Sequence, residues 1–389
     1  MWTAGSVRKL QRKMQLAQAR ILHLVEDNAI STPRGLMWGQ FLYVSRRDEQ
    51  VGIYGTSSAI QILAEAHRED LLQHAVQAPG FFAVDTKGDL VDTKGDLVDT
   101  YKLIFLAHAT DPCRNVIDAP CGVMDALVDR RLADGGWREF PDDRVPHVLA
   151  TAMALVALHR YSRFNSTADA NQSLDWLARA LEQDDVAMLE TERAYGVLAL
   201  MHYSRKSDVA LRRLSEWASR RRGRDFDTAE WYVYPINHNG RTEHKYLFFI
   251  PDVVAAIAAT TQGDQIPLRE YALRVARHVT QRVLETGHGS TTTHRASTVD
   301  HMWLYKMLGR LVAMSVRDLV PPSIVRWTGQ GFWGITVRIL FGVIVALTGF
   351  WIAWTYETSG ALNILGNLIG GIGLAWIMAY ITGGWIGTF

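Results

Sequence analysis

The chain has few cysteines, few strand-like segments and no apolar stretch at its start of the kind found in signal peptides. Its 389 residues include only two cysteines, Cys113 and Cys121. A secreted disulfide scaffold needs more than this, so we expect a reducing compartment. Almost no segment alternates apolar and polar residues as a strand does, and residues 231–235 (WYVYP) are the exception. The first residues lack the apolar core of a signal peptide, which agrees with an N-terminal domain that stays in the cytoplasm.

Charge is the second scarce property, and it is missing from one end of the chain. After Arg338, Glu357 is the only charged side chain. Residues 339–356 form an uncharged stretch of 18 residues, and residues 358–389 contain no charged side chain. A helix needs about 20 apolar residues to cross the hydrocarbon core of a bilayer. The composition of this end therefore favours a lipid environment.

The two uncharged stretches predict a transmembrane hairpin at 333–389, with spans at about 333–356 and 361–382. The alternative is a buried apolar hairpin in a soluble core. Basic residues precede the first span and are absent from the turn and the tail. Because basic residues mark the cytoplasmic side, we expect a multi-pass protein of the inner (cytoplasmic) membrane, with its N-terminal domain and C-terminus in the cytoplasm. Residues 321–332 are the predicted juxtamembrane linker.

The second predicted span carries small and amide side chains on one face. Asn363 and Asn367 are four residues apart, so they share a helical face. Gly366 and Gly370 have the spacing that lets two helices approach closely. One interpretation is an oligomerising, pore-lining helix. The other is an anchor whose two helices pack on each other.

Residues 1–320 repeat a helical unit at a spacing of about 45 residues, as solenoids and toroids do. Each unit has a helix with one apolar face, followed by a more apolar helix rich in Ala and Leu. The apolar helices begin near Gly52, Asp99, Pro146, Glu192, Pro251 and Ser297, and their partners run near 6–27, 65–77, 116–133, 167–182, 207–222 and 266–284. Helices that are apolar all round must be buried inside those with one apolar face. The pattern predicts an all-α chain whose residues 1–320 form an (α/α)6 toroid.

Two segments carry a family resemblance. Residues 134–161 (DGGWREFPDDRVPHVLATAMALVALHRY) resemble one repeat of the terpenoid-cyclase and protein-prenyltransferase toroids, in which a Gly-Gly-Trp turn precedes an inner helix with a Thr-Ala-x-Ala-Leu run. Residues 52–63 (GIYGTSSAIQIL) resemble a second copy. The resemblance implies the toroid fold, and fold alone does not assign function. The family's Asp-x-Asp-Asp acid and Asp-Asp-x-x-Asp magnesium motif are not met, so we expect no catalytic residues and no cofactor.

The protein prenyltransferases also imply a zinc site. They hold zinc with an Asp-x-Cys pair and a His at the start of an inner helix. Asp111-Pro-Cys113 has that local spacing, and His147 follows a Gly-Gly turn. Oxygen, thiolate and imidazole are plausible zinc ligands. However, Asp111 and Cys113 lie at the end of an inner helix, so a loop cysteine and a helix-start histidine are the favoured interpretation.

Polar residues at the starts of the inner helices predict a binding site at one mouth of the toroid. The predicted ligand-binding residues are Asp99, Lys102, His147, Glu192, Arg193, Asp252, Arg295, Asp300 and His301. Helix starts also favour Asp and Glu through capping and the helix dipole, which is the alternative for each residue. A basic run predicts phosphate binding by Arg220, Arg221, Arg222 and Arg224, with a solvated helix end as the alternative. A formal net charge of +1 argues against general double-stranded nucleic-acid binding.

Two functions fit this organisation. In the first, the cytoplasmic toroid binds a nucleotide or oligonucleotide signal, or a partner protein, and controls a homo-oligomeric pore or membrane disruption by the tail. A cytoplasmic sensor followed by two spans resembles the membrane effectors of bacterial antiphage systems. In the second, the chain is a membrane-bound toroid enzyme that acts on an isoprenoid, lipid or glycan. The unmatched catalytic motifs favour the first.

Overall fold

The structure is a computed structural model of the chain. It describes residues 2–42, 51–75, 82–84, 90–92, 98–110, 121–183, 188–221, 231–238, 241–260, 265–287, 296–320, 332–355, 360, 364, 365 and 367–369. The helices are α1 (Ala4–Asp27), α2 (Ile53–Glu65), α3 (Glu69–Leu72), α4 (Thr100–Thr110), α5 (Cys121–Asp129), α6 (Val148–Leu158), α7 (Ser162–Asn165), α8 (Ala168–Glu182), α9 (Glu190–His202), α10 (Asp208–Arg220), α11 (Ile250–Thr260), α12 (Ile266–Thr286), α13 (Thr298–Ala313), α14 (Val316–Leu319) and α15 (Phe332–Thr355). The strands are β1 (Ile30–Thr32), β2 (Gly35–Met37), β3 (Phe41–Leu42), β4 (Phe82–Val84), β5 (Leu90–Asp92), β6 (Trp231–His238), β7 (Arg241–Phe249) and β8 (Ala296–Ser297).

Six of the described helices close an inner ring. Each packs against the next in the order α2, α4, α6, α9, α11 and α13, and α13 packs back against α2. These helices are apolar on most faces, as in α6, where nine of the eleven residues are buried. An inner helix touches the axis, its two ring neighbours and the outer layer, so it has little surface left for water. The predicted inner helices are confirmed as this ring.

The outer layer consists of helices with one buried face. Helix α10 buries Ala210, Leu214 and Ala218, which recur every four residues, and turns its charged residues outward. Helix α8 packs on α6 and α9, α10 packs on α9 and α12, and α12 packs on α11 and α1. The helix predicted at 65–77 is shorter than expected. The His67 backbone is left-handed (φ 56°) after α2, and the His74 carbonyl accepts a hydrogen bond from Leu36 N instead of continuing α3.

Buried tryptophans tie outer helices to inner ones. The Trp137 indole donates to the Leu127 carbonyl of α5 (2.7 Å), and its backbone N–H donates to the Thr151 hydroxyl of α6 (2.8 Å). The preceding Gly-Gly turn is required here, because Gly135 has φ +107° and a Cβ on Gly136 would lie 2.3 Å from Pro146 Cβ. The turn predicted from the Gly-Gly-Trp motif therefore fixes the spacing between α5 and α6.

Trp38 repeats this arrangement in the first unit. Its indole donates to the Val25 carbonyl of α1 (2.8 Å), and its backbone N–H donates to the Thr56 hydroxyl of α2 (3.0 Å). Thr56 and Thr151 thus hold equivalent positions in the two segments that resemble each other in sequence. No Gly-Gly precedes Trp38, which is why the sequence pattern did not identify it.

Short antiparallel strand pairs lie in the segments that connect the helices. Strands β3 and β8 pair antiparallel and join the first unit to the last, where α1 also packs on α13. Strands β6 and β7 form an antiparallel hairpin in the insertion before α11. The strand expected at 231–235 is therefore present and extends to His238. The ring is closed through both backbone pairing and helix packing.

The described chain forms two compact units. Residues Ala4–Leu319 form the first, and Val320 and the residues after it belong to the second. No helix in the described parts of the chain is both long enough and apolar enough to cross a membrane. The predicted second span lies largely outside the described residues, as do Asn363, Gly366 and Gly370, whereas Asn367 is described and exposed.

Candidate functional site

A cavity lies on the axis of the inner ring, and every inner helix contributes to its wall. It leaves about 50 Å³ open to the centres of water molecules. Its lining residues are Gln61 of α2, Phe105 and His108 of α4, Met153 and Val156 of α6, Tyr195 and Leu198 of α9, Asp252 and Val253 of α11, and Met302, Trp303, Lys306 and Arg310 of α13. A volume of this size holds a few waters. Pockets for drug-sized ligands occupy about 300–1,000 Å³.

The charged residues of this cavity neutralise one another. Arg310 forms an ion pair with the carboxylate of Asp252 and donates to its backbone carbonyl (3.1 Å). The Lys306 ammonium donates to the Gln61 side-chain carbonyl. Burial lowers the pKa of Lys306, and the nearby Glu65 carboxylate opposes that effect. Two cations on the wall thus face the Asp252 carboxylate on the wall and the Glu65 carboxylate nearby, so the axial region carries no large excess of either charge.

Glu65 and His108 are shifted toward their neutral forms. Glu65 keeps contact with solvent at the end of α2, yet the protein atoms around its carboxyl raise its pKa, while Lys306 and Arg310 lower it. Burial, followed by the charge of Lys306, lowers the pKa of His108 to about 3. His108 is therefore a neutral imidazole at neutral pH, able to donate with one nitrogen and accept with the other.

Two further histidines lie beside His108. The rings of His159 and His202 stack with centroids 4.4 Å apart and planes 28° apart. His159 Nδ1 lies 2.8 Å from the Val156 carbonyl, which orients its ring. The Trp303 indole N–H, also on the cavity wall, is buried and has no hydrogen-bond partner among the described residues. The axis therefore offers hydrogen-bond donors and the neutral imidazole of His108 to a small polar guest.

Glu65, the three histidines and Arg310 lie at or near the ends of inner helices, whereas most of the predicted site residues lie where the helices begin. Glu65 and His202 are the last residues of α2 and α9, and His159 follows the last residue of α6. Of the predicted mouth residues, Asp252 lies on the wall of the axial cavity. Gln61, His108 and Lys306 were not identified from the sequence, because each is an isolated polar residue within an apolar helix.

Several predicted mouth residues act as helix caps. Asp99 is buried, and its carboxylate accepts from the backbone N–H of Lys102 (2.8 Å), which is itself buried. Glu192 accepts from the backbone N–H of Leu189 (2.8 Å) at the start of α9. Capping satisfies backbone donors that a helix start leaves unpaired. A capping contact does not test binding, so the ligand-binding prediction for these residues stays a prediction.

The remaining mouth residues occupy separate places around the ring. Arg193 is buried and pairs with Glu190 (2.6 Å). His301 Nδ1 lies 2.7 Å from the Ser297 carbonyl. Asp300 is also buried, and its backbone N–H donates to the Ser297 hydroxyl (3.4 Å). Arg295 lies outside the described residues.

His147 caps the start of α6 and approaches a buried acid. Its Nδ1 lies 3.7 Å from Glu139 Oε1, and Glu139 also accepts from the Tyr101 hydroxyl (2.9 Å). Burial lowers the pKa of His147, and Asp143 opposes that effect. Asp111 and Cys113, the other residues of the zinc alternative, lie outside the described residues. Within the described residues, no three His, Cys, Asp or Glu side chains group as metal ligands.

The predicted phosphate-binding run divides between described and undescribed residues. Arg220 is the last residue of α10 and lines a pocket that also includes Arg193. The Arg221 guanidinium lies 5.3 Å from the centroid of the Trp217 ring. Arg222 and Arg224 lie outside the described residues. The structure thus brings one residue of the basic run together with one residue of the predicted mouth.

The fold is that of a terpenoid-cyclase-like helical toroid. The chain is similar to a type II terpene cyclase, MstE from Scytonema, whose structure contains geranylgeranyl dihydroxybenzoate as substrate. The similarity has a TM-score of 0.50 at 13% sequence identity and covers 79% of this chain and 100% of the cyclase chain. No protein-family model matches the chain, and no curated protein sequence matches it. At this identity the likeness establishes the fold and leaves the function open.

Proposed function

We propose that the chain is a membrane-anchored sensor-effector. In this proposal the cytoplasmic toroid binds a nucleotide or oligonucleotide signal, or a partner protein. Binding controls the C-terminal tail, which oligomerises with tails of other copies and opens or disrupts the inner membrane. An activity of this kind suits antiphage defence, because loss of the membrane potential stops an infected cell.

The observation that carries the proposal is the exposed apolar surface of α15. Its exposed side chains, between 38% and 76% accessible, are Val343, Ile344, Leu347, Phe350, Trp351 and Trp354. A contiguous apolar surface of this kind marks a membrane or protein contact. Ile364, Leu365 and Leu368 are exposed as well. With the uncharged sequence around them, these residues support lipid as the cover of the tail.

The volume of the axial cavity argues against a cyclase activity. A type II cyclase protonates an alkene with an unusually acidic Asp, in a cavity that encloses the folded substrate. Here the cavity leaves about 50 Å³, and Asp252 on its wall is paired with Arg310. A cavity of that volume holds a few waters, which is far less than the volume of a folded terpenoid chain.

A membrane-bound toroid enzyme is the second candidate. The likeness to a terpene cyclase favours it, because that enzyme binds a prenylated substrate in the same type of fold. Its substrate class would be an isoprenoid, a lipid or a glycan. Incubation of the full chain in detergent with geranylgeranyl dihydroxybenzoate distinguishes the candidates, since a cyclised product would establish the enzyme.

The sensor-effector proposal is tested by measuring membrane potential in cells that express the full chain. Expression is expected to depolarise the cells, and Asn367→Leu is expected to abolish depolarisation, because the amide face would no longer line a wet lumen or bond across helices. Leu365→Ile, an apolar exchange on the same segment, is the matched control and should depolarise normally. Depolarisation that persists unchanged in Asn367→Leu contradicts the pore role.

A further inference from the structure

An open pocket lies on the outer layer, between the start of α9 and the length of α10. Its volume is about 460 Å³, which falls in the range of small-molecule sites. We call it the arginine pocket. Its lining residues are Met188, Glu190, Arg193, Arg212, Arg213, Glu216, Trp217 and Arg220. It is much larger than the axial cavity and shares no lining residue with it.

The arginine pocket carries more positive than negative charge. Four arginines line it against two glutamates. Arg193 pairs with Glu190 at 2.6 Å, and Arg220 approaches Glu216 at 3.7 Å. Arg212 has no hydrogen-bond or ion-pair partner among the described residues. The two acids therefore cannot neutralise the pocket, and an anionic ligand would complete its charge balance.

The geometry of α10 explains why these side chains converge. Arg212, Glu216 and Arg220 are four residues apart, so they lie along one face of the helix. Arg213 and Trp217 are related by the same spacing on the adjoining face. Arg193 comes from the neighbouring helix α9 and is buried, with its position fixed by Glu190. The pocket thus combines one preorganised guanidinium, that of Arg193, with that of Arg212, which is available to adjust to a ligand.

Trp217 is an aromatic residue of the pocket lining, and the Arg221 guanidinium lies 5.3 Å from the centroid of its ring. Its ring meets Tyr271 of α12 edge to face, with centroids 5.1 Å apart, which holds the indole in place. Guanidinium groups bind phosphate oxygens in bidentate geometry. Aromatic rings stack on nucleobases at about 1–3 kcal/mol per base. A nucleotide carries both phosphate oxygens and an aromatic base, so it matches both features of the pocket.

We propose that the arginine pocket binds a nucleotide, with its phosphates on Arg193, Arg212, Arg213 and Arg220 and its base against Trp217. This inference rests on the proposed function, because it names the ligand class that the sensor recognises. The same phosphate chemistry occurs in anionic lipid headgroups. A headgroup, however, has no aromatic ring for Trp217, so the nucleotide fits more of the pocket.

The test is calorimetric titration of the full chain in detergent with pyrophosphate, ATP and cyclic di-AMP. At least one nucleotide is expected to bind with Kd below about 1 mM. Arg212→Ala should weaken binding about tenfold through loss of a charged contact, and raised salt should weaken it as well. Arg8→Ala, which removes an exposed arginine of α1, is the matched control and should bind like the wild type.

Trp217→Leu separates recognition of the base from recognition of phosphate. This variant should lose nucleotide affinity and keep pyrophosphate affinity, and the retained pyrophosphate binding shows that the pocket is folded. Equal losses for both probes contradict the role given to the ring. Phosphatidylglycerol vesicles form the lipid arm: vesicle binding that depends on Arg212, without nucleotide binding, overturns the proposal in favour of a headgroup.

The binding experiment and the membrane-potential experiment test the nucleotide site and the effector function separately. If no nucleotide binds by about 1 mM, the arginine pocket is not a nucleotide site, even where the full chain depolarises cells. If a nucleotide binds through Arg212 and expression of the full chain leaves the membrane potential intact, the site stands and the effector function fails.

Discussion

The axial ion pair between Arg310 and Asp252 gives a quantitative test of how the inner ring is held together. The Asp252 side chain is 4% exposed, and that of Arg310 is 32% exposed. Replacement of Arg310 by Met removes the partner of a buried carboxylate, which costs about 3–5 kcal/mol. Replacement of Asp252 by Asn leaves Arg310 hydrated and close to Glu65, so it should cost about 1–2 kcal/mol. The two variants should therefore be unequal.

The assay is thermal unfolding of the full chain in detergent. For a unit of this size, 1 kcal/mol corresponds to roughly 2 °C in Tm, so Arg310→Met should lower Tm by about 6–10 °C. Arg277→Met, at an exposed arginine of α12, is the control and should change little. The double variant, Arg310→Met with Asp252→Asn, should be more stable than Arg310→Met alone, because the introduced amide carries no charge to bury. A double variant that is as unstable as the sum of the single variants would refute the ion-pair argument.

Two further predictions concern the turn and the axial histidine. Thr151→Val removes the acceptor of the buried Trp137 N–H and should destabilise by about 1–3 kcal/mol in the same assay; Thr151→Ser keeps the hydroxyl and should lose less, and the reverse order would contradict the hydrogen bond. The folded protein keeps His108 neutral down to a pKa of about 3, while the unfolded chain protonates it below about 6.5. Stability should therefore fall as pH decreases through this window, and His108→Gln should flatten that fall in Tm profiles. A Tm profile that His108→Gln leaves unchanged would remove the assignment to His108.

The ring could be predicted because its helices differ in burial. The run from Val148 to Leu158 has no charged residue, and such a helix is stable only when other helices surround it. The partner at Ala168–Glu182 alternates buried and charged positions, as an outer helix must. The helix predicted at 65–77 is shorter than expected because of a contact between residues distant in sequence. The Leu36 backbone N–H donates a hydrogen bond to the His74 carbonyl. Local periodicity carries no information about such a partner.

Most of the axial cluster could not be predicted, because its polar residues are scattered among several inner helices that are otherwise largely apolar. Within α4, His108 is one polar position in an apolar helix, and that pattern alone is typical of a buried structural histidine. Only the packing of the inner helices on one another shows that His108 lies near Lys306 and the stacked His159–His202 pair. The arginine pocket has the same origin, since Arg193 and Arg212 meet through the packing of α9 on α10.

Helix polarity explains why starts and ends of the inner helices play different parts. The first turn of a helix has unpaired N–H groups, and residues such as Asp99 and Glu192 are engaged in satisfying them. The last turn has a partial negative charge from its carbonyls, which stabilises nearby cations such as Arg310. In this ring the start residues Asp99 and Glu192 act as caps, whereas Asp252, in the first turn of α11, faces the axis and pairs with Arg310 from the last turn of α13. Polar residues that lie near the ends of apolar inner helices and do not act as helix caps are therefore candidates for contact with a small polar guest on the axis.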